Sequence, residues 1–136
     1  MQYNAIIDTN VIISAMLSKN EEAATVQIIK LMMSGEIIPY FSHDVLKEYH
    51  EVLRREKFNF SWELITAMLA AIEKYGILVV PGVTDEILKD PKDLPFYEIV
   101  MDKQDDNAYL VTGNIKHFPS RPYIVTPREM LDIIER

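Results

Sequence analysis

Short runs of apolar, largely β-branched residues alternate along the chain with longer stretches whose apolar positions recur every three or four residues. That alternation is expected of a parallel sheet flanked by helices. The first run, Ala5-Ile6-Ile7, stops at Asp8-Thr9-Asn10, and a second apolar stretch runs from Val11 to Leu17. An unbroken run suits a strand covered on both faces, and Val11 to Leu17 then reads as a short buried helix broken by Ser18-Lys19-Asn20. From Glu21 a second helix carries Val26, Ile29 and Met33 on one face and ends at Ser34-Gly35. Ile37 to Phe41 is the second strand, with Pro39 limiting how much of it sits mid-sheet. Ser42 caps a third helix to about Arg55, helped by Asp44 in its first turn.

Ser61 opens a helix with Trp62, Ile65, Met68, Leu69 and Ile72 on its core face. Ile77 to Val80 is a third strand, ended by Pro81-Gly82. The stretch from Thr84 to Leu94 is the least periodic and contains Asp90-Pro91-Lys92-Asp93; a helix through Phe96, Tyr97, Ile99 and Val100 follows. Ala108 to Val111 and Tyr123 to Val125 are the last strands. Thr126-Pro127-Arg128-Glu129 is a capping box with proline at the first helical position, opening the last helix. The order predicts an α/β fold of three layers, α/β/α, around a mostly parallel sheet, in one domain spanning 1–136.

Composition narrows the chemistry. The chain has 136 residues, 49% hydrophobic and 26% charged, as in a globular protein with a proper core. It has no cysteine, which removes disulfides, thiolate nucleophiles and thiolate zinc sites. His43, His50 and His117 show no metal-ligand spacing and no catalytic pairing, so they read as surface or helix-end residues. The run from Val11 to Leu17 is too short for a membrane span and no basic residue precedes it, so the chain is expected to start at Met1 in the cytoplasm. Fourteen basic against twenty-one acidic residues, a net charge of −7, argue against a general nucleic-acid coat protein. Any nucleic-acid role would use a local patch or a metal.

Three acids occupy one class of position. Asp8 follows the first strand, Asp93 begins a helix, and Glu48 lies at the flank of the apolar stripe Val45, Leu46, Tyr49, Val52 and Leu53, while Glu51 points away. Each has a plain alternative. Asp8 and Asp93 stand where helix caps stand, and a glutamate at a stripe's edge can simply reach water. In a doubly wound sheet, however, all three can converge at the carboxyl edge, where ligands bind. Two carboxylates about 6 Å apart repel by roughly 3 kcal/mol at an effective dielectric of about 20, so such a set calls for a hard cation or a shared proton. Mg²⁺ and Mn²⁺ prefer oxygen donors of this kind, and metal-activated water attacks phosphodiesters.

The motifs in order resemble the PIN-domain nucleases: Asp8-Thr9-Asn10 after an N-terminal strand, Glu48-Tyr49 on a helix, Asp90-Pro91-Lys92-Asp93-Leu94-Pro95-Phe96, and Leu110-Val111-Thr112-Gly113-Asn114 followed by Lys116-His117-Phe118. Within that family the chain is most similar to small prokaryotic VapC-like proteins, toxins of toxin-antitoxin pairs. The resemblance implies that Asp8, Glu48 and Asp93 are the acidic metal ligands for Mg²⁺ or Mn²⁺, supported by Thr9, Asn10, Thr112 and Asn114. It departs from the family at Asn114, where many PIN domains carry a fourth aspartate. Implied partners are an RNA substrate and a cognate antitoxin, with a homodimer admissible; substrate contacts would fall to Lys19, Arg54, Arg55, Lys57 and Lys116. Two rivals stay open: a catalytically silent PIN scaffold that binds RNA or a protein, and an aspartyl-phosphate enzyme using Asp8 as nucleophile.

Overall fold

The computed structural model describes all of residues 1–136. Five strands, β1 (Tyr3–Ile7), β2 (Ile37–Phe41), β3 (Ile77–Leu78), β4 (Tyr109–Val111) and β5 (Ile124–Val125), form one sheet in the order β3-β2-β1-β4-β5. Every pairing is parallel. Six helices connect them: α1 (Thr9–Leu17), α2 (Ala24–Ser34), α3 (His43–Leu53), α4 (Trp62–Tyr75), α5 (Leu94–Asp102) and α6 (Pro127–Glu135). No helix is long and apolar enough to cross a membrane.

The sheet's centre is its most apolar part. Ala5, Ile6 and Ile7 of β1 and Leu110 and Val111 of β4 are at most 1% exposed, and each isoleucine so buried contributes about 1.5–3 kcal/mol. The crossovers from β1 to β2 and from β2 to β3 step one way across the sheet; the crossover from β3 to β4 steps back. Because parallel crossovers are right-handed, reversing the direction changes the face. Accordingly α2 packs on β2 with α4 and α6 beside it, while α5 lies over β1, β2 and β4. These are the three layers expected from the alternation of elements.

Several local details differ from the pattern. Helix α2 begins at Ala24, not Glu21, and buries Ile28, Ile29 and Met32, whereas Met33 is 40% exposed. The face is turned by one residue because α2 packs against both β2 and α6. Gly35 ends it in the left-handed region at φ 85°, where glycine alone is unstrained. Trp62, expected in the core, is 61% exposed at the first position of α4. Strand β3 is only two residues long, and its side chains are exposed as expected of an edge. It enters through Gly76, where a Cβ would come within 2.5 Å of the carbonyl oxygens of Ile72 and Pro39, so no larger residue fits.

Candidate active site

The strand order reverses at β1, and at such a switch point the connections leave in opposite directions and open a crevice at the carboxyl ends of the strands. The register pairs Ile7 of β1 with Val111 of β4, so the next residues, Asp8 and Thr112, emerge side by side at that crevice. The buried Thr112 hydroxyl donates to Asp8 Oδ2 at 2.7 Å, and the Asn10 amide donates to the same oxygen at 3.1 Å. Asn10 Oδ1 in turn accepts from the Gly113 N–H at 3.0 Å, and the Asn114 N–H donates to Thr112 Oγ1 at 3.0 Å. The turn after β4 is thereby fastened to Asp8. The side chain of Asn114 itself is exposed and takes no part in this network.

Neither aspartate spends its carboxylate on capping. Asp8 stands at the N-cap of α1 and Asp93 at that of α5, yet neither side chain bonds a free helix amide. Asp90 does the capping instead, its Oδ1 accepting from the Lys92 N–H at 3.0 Å and fixing the 3-10 turn Pro91–Asp93 that delivers Asp93.

Glu48 is brought in by its neighbour. The hydroxyl of Tyr49, a residue wholly inside the apolar core, donates to the carbonyl of Ile7, the last residue of β1. Its ring packs against Phe96 of α5, with centroids 6.1 Å apart and planes at 55°. One side chain therefore holds together α3, β1 and α5, the three elements from which Glu48, Asp8 and Asp93 project.

The electrostatics follow from that convergence. Burial raises the pKa of Asp8 above its ordinary value, with the charge of Asp93 adding to the rise and the Thr112 bond opposing it. Glu48 is also raised, first by burial and in part by Asp8, against the pull of Arg55 and Lys92. Asp93 is raised by burial, then by Asp90 and Glu48, against His117. Each of the three feels at least one of the others. They do not, however, close into a compact set of three ligand groups. Two buried side-chain oxygens in the chain lack a hydrogen bond, Thr9 Oγ1 and Asp93 Oδ2, and both belong to residues singled out from the sequence.

A PIN-domain family model matches residues 4–116. The chain belongs to the PIN-domain family. It is also similar to an uncharacterized protein of Methanocaldococcus jannaschii, 24% identical over 153 residues, an alignment that covers 100% of this chain and 94% of that relative. No solved structure matches it. Membership of the PIN family carries nuclease chemistry as the activity class, typically dependent on a divalent metal.

The three acids could hold such an ion. The donors are all oxygen, they are partly desolvated and of like charge, and Asp93 Oδ2 is buried with no hydrogen bond. An open set also suits Mg²⁺, which is commonly held by one or two carboxylates with several waters retained and not by an all-protein cage.

His117 is an exposed residue at the end of a 3-10 turn, as expected, but it also reaches the site. Its Nδ1 lies 3.3 Å from Asp93 Oδ2, poorly aligned but close enough to act on that carboxylate. Lys92, whose charge reaches Glu48, was also missed. A tyrosine inside an apolar stripe was the available signal for Tyr49, because a buried hydroxyl needs an acceptor. Of the expected substrate-side cations, Lys19, Arg54, Arg55, Lys57 and Lys116 are all exposed and none forms a salt bridge. Arg55 alone among them acts on a site carboxylate. Asp105 and Asp106 lie exposed in a 3-10 turn before β4, where Asp106 accepts from the Tyr40 hydroxyl at 2.9 Å.

Proposed function

We propose that this PIN domain, working as one unit over 1–136, is a Mg²⁺- or Mn²⁺-dependent endoribonuclease, with Asp8 and Asp93 holding the ion and Glu48 holding it directly or through water. The observation that carries the reading is the buried, unbonded Asp93 Oδ2 in a group of carboxylates that burial and mutual repulsion push toward the protonated state. When bound, the ion would supply Lewis acidity toward a phosphodiester and a nucleophile at neutral pH. The chain's own residues do the rest. Thr112 and Asn10 fix Asp8 through Oδ2, Tyr49 fixes the helix that carries Glu48, and His117 offsets the charge of Asp93. The likeness to VapC-like proteins supports a toxin role with a cognate antitoxin as inhibitor.

RNA cleavage followed on gels tests this. Cutting is expected in Mn²⁺ or Mg²⁺ and not in chelator, and Asp8→Ala and Asp93→Ala are each expected to lower it at least a hundredfold, the scale of losing a group that stabilises transition-state charge. Asp105→Ala should match the parent. Metal-independent cutting, or full activity in Asp8→Ala, would sink the proposal, and metal binding without cutting would leave a silent scaffold.

A further inference from the structure

The segment that joins α3 to α4, Arg54-Arg55-Glu56-Lys57-Phe58-Asn59-Phe60-Ser61-Trp62, is unlike the rest of this acidic chain. Three of its first four residues are cationic, including the chain's one pair of adjacent arginines, and three aromatic rings follow within five residues. Phe60 packs in part against the core and Phe58 is half-buried, but the third ring stands mostly in solvent. Trp62, the sole tryptophan, is 61% exposed, and the Arg54 guanidinium sits over it at 5.1 Å from the ring centroid. Phe58 and Phe60 are stacked on each other at 5.7 Å, with Lys57 Nζ 5.1 Å from the Phe58 centroid. Beside Trp62 a cleft of about 210 Å³ runs between α3 and α4, bordered by His50, Arg54 and Leu69, with Glu73 at its far side.

We propose that this junction is a binding track for single-stranded RNA, in which Arg54 and Arg55 take backbone phosphates and Trp62 stacks on a base. This rests on the ribonuclease reading and adds the path of the strand away from the acids. Cations beside an exposed ring are the combination that holds single strands, since every base offers a flat face and every step a phosphate. A duplex hides its base faces, so it could use the arginines but not the ring. The path to the acids is short. Arg55 lies two residues past the end of α3, the helix that carries Glu48.

The test uses the full chain in chelator, where the proposed nuclease is silent, and a short unstructured RNA. Trp62 is the only indole, so its fluorescence reports contact directly. Quenching on titration is expected, weaker with the same sequence annealed to its complement, and weakened by salt. By the anisotropy of a labelled strand, Trp62→Ala should bind roughly tenfold more weakly and Trp62→Phe should retain most affinity, because stacking needs a ring. Arg54→Ala keeps the indole as reporter and should also bind several-fold more weakly. Unchanged fluorescence in the parent, or Trp62→Ala binding as tightly as the parent, overturns the proposal. So does a concentration-dependent dimer that Trp62→Ala abolishes, which would make the patch a contact between copies. The two readings fail separately: strand binding through Trp62 with no metal-dependent cutting removes the nuclease, and cutting with affinity indifferent to Trp62 and Arg54 removes the track.

Discussion

At Asp8 a carboxylate at the end of the central strand is kept in a position that burial makes costly, and its hydrogen bonds decide how it is held. Thr112 and Asn10 both donate to Oδ2, so the carboxylate is oriented from one side and its other oxygen lies outside that pair. Thr112→Val keeps the shape and removes the hydroxyl. A hydrogen bond to a charged group contributes about 1.5–3 kcal/mol, so the variant should lose stability on that scale in urea unfolding at neutral pH. The loss should be smaller in an Asp8→Asn background, where the acceptor is neutral, and equal losses in both backgrounds would mean that the hydroxyl serves the fold and not Asp8. His117 shows why part of the site was not legible in the sequence. Its contact with Asp93 spans 24 positions and arises only because the turn after β4 folds back toward α5. Asp8, Asp93 and Thr112 were legible because each sits next to an element boundary that the chain's own periodicity marks.

Among the elements, α3 shows most directly how packing places chemistry. Its stripe of Val45, Tyr49, Val52 and Leu53 is buried as the pattern indicates, which fixes Glu48 at the flank. What the pattern could not give is the bond from Tyr49 to the Ile7 carbonyl, a contact across 42 positions. Tyr49→Phe should leave that buried carbonyl unpaired and cost about 1–3 kcal/mol, lowering the melting temperature by several degrees. It should also lower metal-dependent cleavage more than an equally destabilising change remote from the site, such as Met130→Ala in α6. If the two variants lose activity in proportion to stability alone, Tyr49 is only a core residue. The strands were legible as apolar runs because burial on both faces leaves little else possible. The faces of α2 and the start of α4 were not, because which residues of an apolar helix are covered depends on neighbours distant in sequence: Met32 is buried and Met33 exposed, and Trp62 is left in solvent.

For the whole molecule, a doubly wound sheet brings acids from three separate elements to one edge and thereby builds a strain that a cation would relieve. The pKa directions of Asp8, Glu48 and Asp93 are all upward. A carboxyl raised on folding contributes stability that is fully present below its unfolded pKa, about 4, and that is lost as the pH rises through its folded value. In chelator, Asp8→Asn should therefore be more stable than the parent at neutral pH, and the difference should shrink as the pH falls toward 4, measured by urea unfolding across that range. A difference that grows on acidification would have the wrong sign for a desolvated acid. Divalent metal should act in the opposite sense to the strain, since an ion that binds only the folded state raises stability by about 2.7 kcal/mol at a hundredfold excess over its dissociation constant. The most direct measurement is the thermal melting of the parent, Asp8→Asn and Asp93→Asn at neutral pH with increasing Mn²⁺. The parent should start lowest and gain several degrees, while both variants start higher and gain little, so the order closes or inverts; equal gains in all three proteins would mean that these acids do not form one metal site.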